Sequence, residues 1–176
     1  MYSRVRSMRS GALISASKVA AVAAVLLVVA IPRAAQSAPE SGPFSALQGT
    51  WSGSGAIKKS DGTSERIRCR SAYALTSTVS LRLGLRCASD AFNFDLAANV
   101  INDGGPISGN WSETTRNVND TIQGRSESNG RQVQAVIQSL VFNANLTMTT
   151  RGDRQSIVIL SPGTEFPEVS ITLEKR

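Results

Sequence analysis

The chain has 176 residues, 41% of them hydrophobic and 5% aromatic, with 19 basic and 13 acidic residues and no histidine. That length suits one domain around one core. The missing histidine excludes serine–histidine and cysteine–histidine nucleophile–base pairs and every histidine-containing metal site.

The charge is unevenly placed. Arg4, Arg6, Arg9 and Lys18 precede an apolar run from Val19 to Ile31, and small residues follow at Ala34-Ala35-Gln36-Ser37-Ala38. A basic segment, a short apolar run and small residues make a secretory signal peptide. Cleavage is predicted after Ser37, with Ala35 and Ser37 at the small-residue positions. The alternative is an uncleaved membrane anchor, but the run has 13 residues, and a bilayer needs about 20. Residues 1–37 hold five basic residues and no acidic one, so the remainder has 14 basic against 13 acidic residues, a net of +1. That balance gives no footprint for nucleic acid. The predicted mature chain has no transmembrane segment, and its destination is the periplasm or the exterior.

Residues 38–46 (APESGPFSA) read as a flexible leader, and residues 47–176 as one domain. No window keeps a 3.6-residue period. Strand-length segments alternate with turn signals throughout, which is an all-β pattern. Turn length sets register, so the pairings follow in chain order. A three-residue Ser60-Asp61-Gly62 loop puts Trp51, Gly53, Gly55 and Ile57 on the same face as Ile67 and Cys69. The next two runs fold about Thr78, placing Cys69 opposite Cys87, Ser71 opposite Leu85 and Tyr73 opposite Leu83. A Ser89-Asp90 loop pairs Cys87 with Phe92 and Leu85 with Phe94. Asp103-Gly104 pairs Val100 with Ile107 and Leu96 with Trp111. Asn129-Gly130 pairs Ile122 with Ile137. Ser139-Leu140 pairs Ile137 with Phe142 and Val133 with Leu146. Gly152-Asp153 pairs Met148 with Ile157. About ten antiparallel strands result, in meander order. An even number leaves the last strand antiparallel to the first, so the sheet can close into a barrel without exposed edges. A two-sheet sandwich is the rival, but it calls for longer Greek-key connections.

Cys69 and Cys87 share the apolar face and fall opposite each other, so one structural disulfide is predicted, worth roughly 3 kcal/mol for its short loop. With both cysteines bridged, no thiolate remains for catalysis or metal binding.

At Leu47-Gln48-Gly49-Thr50-Trp51 the first strand resembles the Gly-x-Trp strand of lipocalins and other calycins. The resemblance implies a barrel whose end is closed by Trp51. Ten strands are more like fatty-acid-binding proteins or nitrobindin, but the chain lacks the haem-ligating histidine and the inward arginines of those groups. GTWSGSG, ERIRCR, LRCAS and ISGNWSETTRN also resemble small exported alphaproteobacterial proteins of unknown function, which carry no activity over.

The remaining chemistry is sparse. Glu113 is the one carboxylate predicted on the apolar face, where burial raises a carboxyl pKa. The alternative places it at the rim, paired with Arg116. Asp95 has the opposite parity, so no facing carboxylate pair forms for glycosidase chemistry. The inward aromatic set includes Trp51, Tyr73, Phe92, Phe94, Trp111 and Phe142, among many small residues. Either an apolar cavity or a flattened, filled barrel fits that set. Trp51, Tyr73, Phe94, Trp111 and Glu113 are the candidate ligand contacts. On the outer face, Arg68, Arg70, Arg82 and Arg86 form a candidate patch for an anionic partner, against the plainer possibility of a solvated face.

The sequence thus predicts an exported, monomeric, non-enzymatic β-barrel without metal or cofactor, binding a small apolar ligand or an anionic envelope component. The alternative is a protein-binding module such as a periplasmic protease inhibitor, with residues 38–46 as its contact segment. A cavity favours the first, and a filled core with an ordered leader the second.

Overall fold

The structure, a computed structural model, describes residues 42–127, 130–140 and 142–176. The predicted signal peptide and residues 38–41 lie outside the described residues, as does Asn129.

Ten strands follow one another: β1 (Gly49–Lys58), β2 (Ser64–Leu75), β3 (Ser80–Ala88), β4 (Asn93–Asn102), β5 (Pro106–Glu113), β6 (Val118–Glu127), β7 (Gln132–Gln138), β8 (Asn143–Arg151), β9 (Arg154–Leu160) and β10 (Glu168–Lys175). Each pairs antiparallel with its neighbours in sequence, and β10 pairs with β1, closing an up-and-down barrel. Alternation drives this. Along β2, Ile67, Cys69, Ser71 and Tyr73 are buried while Arg66, Arg68, Arg70 and Ala72 are exposed. Alternate side chains on a strand point to opposite faces, so each strand gives one row to the core and one to water.

Cys69 and Cys87 are cross-strand partners joined by a disulfide, with Ser71 opposite Leu85 and Tyr73 opposite Leu83. The pairings predicted for β1–β2, β6–β7 and β8–β9 are present as well.

Three turns sit one residue later than the sequence suggested, which moves each partner by two positions. Cys87 pairs with Phe94 rather than Phe92. Val100 pairs with Gly109 rather than Ile107, and Trp111 lies opposite Ala98 rather than Leu96. Ile137 pairs with Ala144 rather than Phe142. Serine side chains explain two of these. Ser89 N donates to Phe92 O at 2.7 Å while Phe92 N donates to Ser89 Oγ at 2.9 Å. Ser139 and Phe142 repeat the arrangement at 3.0 and 3.2 Å. Each serine hydroxyl substitutes for a ladder acceptor, so the serine becomes the residue that closes the turn. In the third, Gly104 and Gly105 both have positive φ, 65° and 129°. They form the two-residue turn together, and Asp103 N donates to Pro106 O at 2.8 Å. The Asp-Gly pair looked decisive, but a second glycine let the tighter turn form one residue on.

The barrel has two unlike ends. At the end holding the β2–β3 and β6–β7 turns, residues 42–46, expected within a flexible leader, dock instead. Phe44 and Leu47 are each 1% exposed. The segment is wedged between those turns, since a Cβ at Gly130 would lie 2.2 Å from Pro43 O and one at Gly42 would lie 1.8 Å from Thr78 O. Trp51 Nε1 donates to Leu47 O at 2.8 Å, which fixes the plug to the first strand. The opposite end carries the β1–β2, β3–β4, β5–β6, β7–β8 and β9–β10 connections.

Candidate functional site

Behind the plug the barrel is filled. Tyr73 Oη donates to Gln155 Oε1 at 2.6 Å, and Gln155 Nε2 donates to Thr150 Oγ1 at 3.2 Å. Gln155 is fully buried. Burial pushes the Tyr73 phenol up to about 12. Trp51 meets Tyr73 edge-on, with ring centroids 6.4 Å apart. A void of about 70 Å³ lies among Leu81, Leu85, Val100 and Met148.

Toward the other end the interior opens into an apolar cavity of about 280 Å³. Leu96 and Ile159 touch both spaces and form its floor. Phe94 and Trp111 stand in the wall, and the connections supply the mouth: Phe92, Phe142 and Phe166. The two serine-closed turns present two of these rings, because each turn ends on its phenylalanine. Ser161 Oγ donates to Phe166 O at 2.6 Å and so holds the third. Phe92 and Phe166 meet edge-on at 5.0 Å, and Trp111 and Phe142 are tilted at 5.9 Å.

Glu113 lies at the rim of this cavity, 8% exposed. Its carboxylate accepts from the Thr115 hydroxyl and from the backbone N–H groups of Asp95, Thr115 and Arg116 at 3.0, 3.1 and 2.8 Å. Arg116 Nη1 is 3.6 Å away. Burial pushes the carboxyl up, but the Thr115 hydroxyl and the three N–H donors outweigh it and hold Glu113 below its ordinary value. The raised pKa expected on burial is therefore reversed, because hydrogen bonds to the charged form dominate. Glu113 fastens the β5–β6 connection across to β4, and its oxygens are committed to that task. Arg116 also stacks over Phe166, 5.7 Å from the ring centroid.

The predicted contacts therefore divide between the ends. Phe94, Trp111 and Glu113 line the cavity, whereas Trp51 and Tyr73 belong to the closed end. Phe166 escaped notice in the sequence because it sits in a connection, where no alternation marks an inward residue, whereas the alternative that set Glu113 at the rim beside Arg116 is what the structure has. The four arginines are all exposed. Arg70 faces Arg86 across the β2–β3 ladder as predicted. Asp95 lies directly opposite Arg86 on β4, and Arg86 Nε donates to Asp95 Oδ2 at 2.7 Å. Among the described residues no cluster of side chains is suited to hold a metal ion.

Fold and cavity together define a calycin-like closed barrel with one plugged and one open end. No protein-family model matches the chain, and no curated protein matches it by sequence. Solved structures do share the fold. One is Rv2717c from M. tuberculosis, with a TM-score of 0.64 and 12% identity over 76% of this chain and 94% of that one. Another is the S-type phycobiliprotein lyase CPES from Guillardia theta, with a TM-score of 0.54 and 10% identity over 76% of this chain and 89% of that one.

Proposed function

We propose that this protein is an exported, non-enzymatic binding barrel that takes a small, uncharged, ring-containing apolar ligand through its open end. One observation supports this above all: the open-end cavity is walled by aromatic rings, and Trp111, Glu113, Ser161 and Thr164 along it already have partners, while the Glu165 carboxylate at the mouth is exposed to water. Trp111 Nε1 donates to Gln138 O at 3.3 Å, Ser161 Oγ to Phe166 O, and Glu113 is saturated. A ligand bringing its own charge would lose hydration without compensation. The volume of about 280 Å³ sits at the small end of ligand pockets, which run from about 300 to 1,000 Å³. It suits a compact ring system better than a long acyl chain.

The disulfide accords with an oxidising compartment, and the N-terminal pattern of residues 1–37 and the resemblance to small exported proteins agree with export. The reading of residues 38–46 as an inhibitor's contact segment loses support, since Phe44 is spent inside its own barrel.

The neutral fluorophore N-phenyl-1-naphthylamine tests the proposal. It should bind at one site and quench Trp111 by energy transfer, and Val169→Trp, which fills the cavity from β10, should abolish binding in a folded protein. No binding by the parent chain, or equal binding by the filled variant, would defeat the proposal.

A further inference from the structure

The outer face of β1 to β4 holds a second feature, separate from the cavity. Cross-strand rows run over it. One carries Ser52, Arg70, Arg86 and Asp95. The next, nearer the plugged end, carries Thr50, Ala72, Gly84 and Ala97. A third carries Ala74, Arg82 and Asn99. Small residues in the middle row and long cations on either side make a trough. This open groove of about 830 Å³ is bordered by Arg70, Arg82, Arg86 and Arg176. A Cβ at Gly84 would meet nothing within 4 Å, so the floor is open at its centre. Arg176 is held there by its backbone N–H on Thr50 O at 2.9 Å and its Nε on Ser52 Oγ at 2.5 Å.

The positive charge is largely uncancelled. Arg86 takes Asp95, and Arg82 Nε meets only the neutral Asn99 amide oxygen at 3.3 Å. Among the described residues no side-chain carboxylate forms an ion pair with Arg70, Arg82 or Arg176, although Glu174 lies beyond Ser52 in the same row. Arg70 directly opposite Arg86 is an unfavourable pair on an empty face. It becomes favourable when an anion sits between the two.

We propose that this groove binds a phosphate-bearing organic molecule. Arg70, Arg86 and Arg176 chelate the phosphate, and the uncharged body lies on the Ala72–Gly84–Ala97 floor. Guanidinium forks match phosphate oxygens bidentately. Arg82 and Arg86 are four residues apart on one strand, about 13 Å, so the groove accommodates a body as well as an anion. The phosphate comes either from a soluble phosphate ester or from a phospholipid headgroup.

The test uses the oxidised chain. Glycerol 3-phosphate is titrated by calorimetry, and vesicles of phosphatidylcholine with and without phosphatidylglycerol are used in sedimentation. The parent should bind in at least one arm. Binding of glycerol 3-phosphate assigns a soluble ester; binding only of phosphatidylglycerol vesicles assigns the headgroup. Gly84→Leu, which fills the groove and leaves the charge alone, should weaken binding by about tenfold or more, as should Arg70→Gln. Arg125→Gln, an equal charge change on β6 outside the groove, should change it by less than about twofold. N-phenyl-1-naphthylamine binding or, failing that, an unchanged circular dichroism spectrum checks that each variant is folded. Absence of binding in both arms overturns the proposal. So does undiminished binding by folded Gly84→Leu together with equal losses from Arg70→Gln and Arg125→Gln, which is the signature of diffuse attraction.

Discussion

The two ends of the barrel are held together by different means. The plugged end relies on packing: Phe44, Leu47 and Trp51 are each 1% exposed, and the polar atoms of Tyr73, Gln155 and Thr150 hydrogen-bond one another. Among the described residues nothing plugs the open end, and its rings Phe92, Phe94, Phe142 and Phe166 are only partly buried. In place of packing it has the Cys69–Cys87 disulfide beside Phe94, the Glu113 network and the serine-closed turns. A mouth that admits a ligand forgoes dense packing, so its walls are fixed by covalent and hydrogen-bonded ties that leave the interior free.

Removing the plug should have the largest effect. Phe44→Ala deletes a fully buried ring, and such changes cost about 3–5 kcal/mol. Urea unfolding should show that loss, while binding of N-phenyl-1-naphthylamine to the remaining folded protein stays within about twofold, since the plug does not touch the cavity. Joint loss of stability and binding would mean that the ends are coupled. The disulfide comes next. Replacing both cysteines by serine should cost roughly 3 kcal/mol and, unlike Phe44→Ala, should also weaken probe binding, because the wall beside Phe94 loosens.

Glu113→Gln should cost less, about 1–3 kcal/mol, because buried donors lose a charged acceptor. The sign with pH is fixed. The folded carboxyl titrates below its ordinary value, so its contribution is full above the ordinary carboxylate range and is lost as pH falls through the folded value. The parent should therefore lose stability on acidification more steeply than Glu113→Gln. Parallel curves would show that the carboxylate is not the tie at the open end.

Which face each strand residue occupies was legible in the sequence, and which residue it meets often was not. Moving a turn by one residue shifts cross-strand partners by two positions, and a shift of two keeps side-chain parity. That is why Trp111 and Phe94 were correctly turned inward although Trp111 was assigned the wrong neighbour. The signals that would have corrected the turns are in the sequence as Ser89-x-x-Phe92 and Ser139-x-x-Phe142, where a hydroxyl competes for the closing hydrogen bond, and as the second glycine at Gly105. The plug was not legible. Pro43-Phe44 resembles any short leader until the closed barrel offers Phe44 a hole, and that hole depends on turns as distant as the one holding Gly130. Phe166 was hidden for a related reason: a loop residue turns inward through a bond such as that from Ser161, not through periodicity.

The smallest effect is spectroscopic and tests how dry the plugged end is. Tyr73 is the one tyrosine after residue 37, so phenol absorbance of a chain made to begin at Ala38 reports it alone. Burial raises its folded value to about 12, against about 10 for an exposed phenol. The neutral form is favoured in the fold, so this contribution to stability is fully present below about 10 and is lost as pH rises toward 12. Below about 10, pH should leave this group without influence on unfolding. Above it, the absorbance change should coincide with loss of the fold in a steep, time-dependent step, because the Tyr73 proton cannot leave while Gln155 and the plug keep water out. Phe44→Ala should shift that step to lower pH, and Val169→Trp at the other end should not. A reversible titration near 10 in the folded parent would mean that water reaches Tyr73 past Phe44. The difference between the two ends would then be one of degree, with the plug a loose stopper and the open-end cavity merely the larger of two wet spaces.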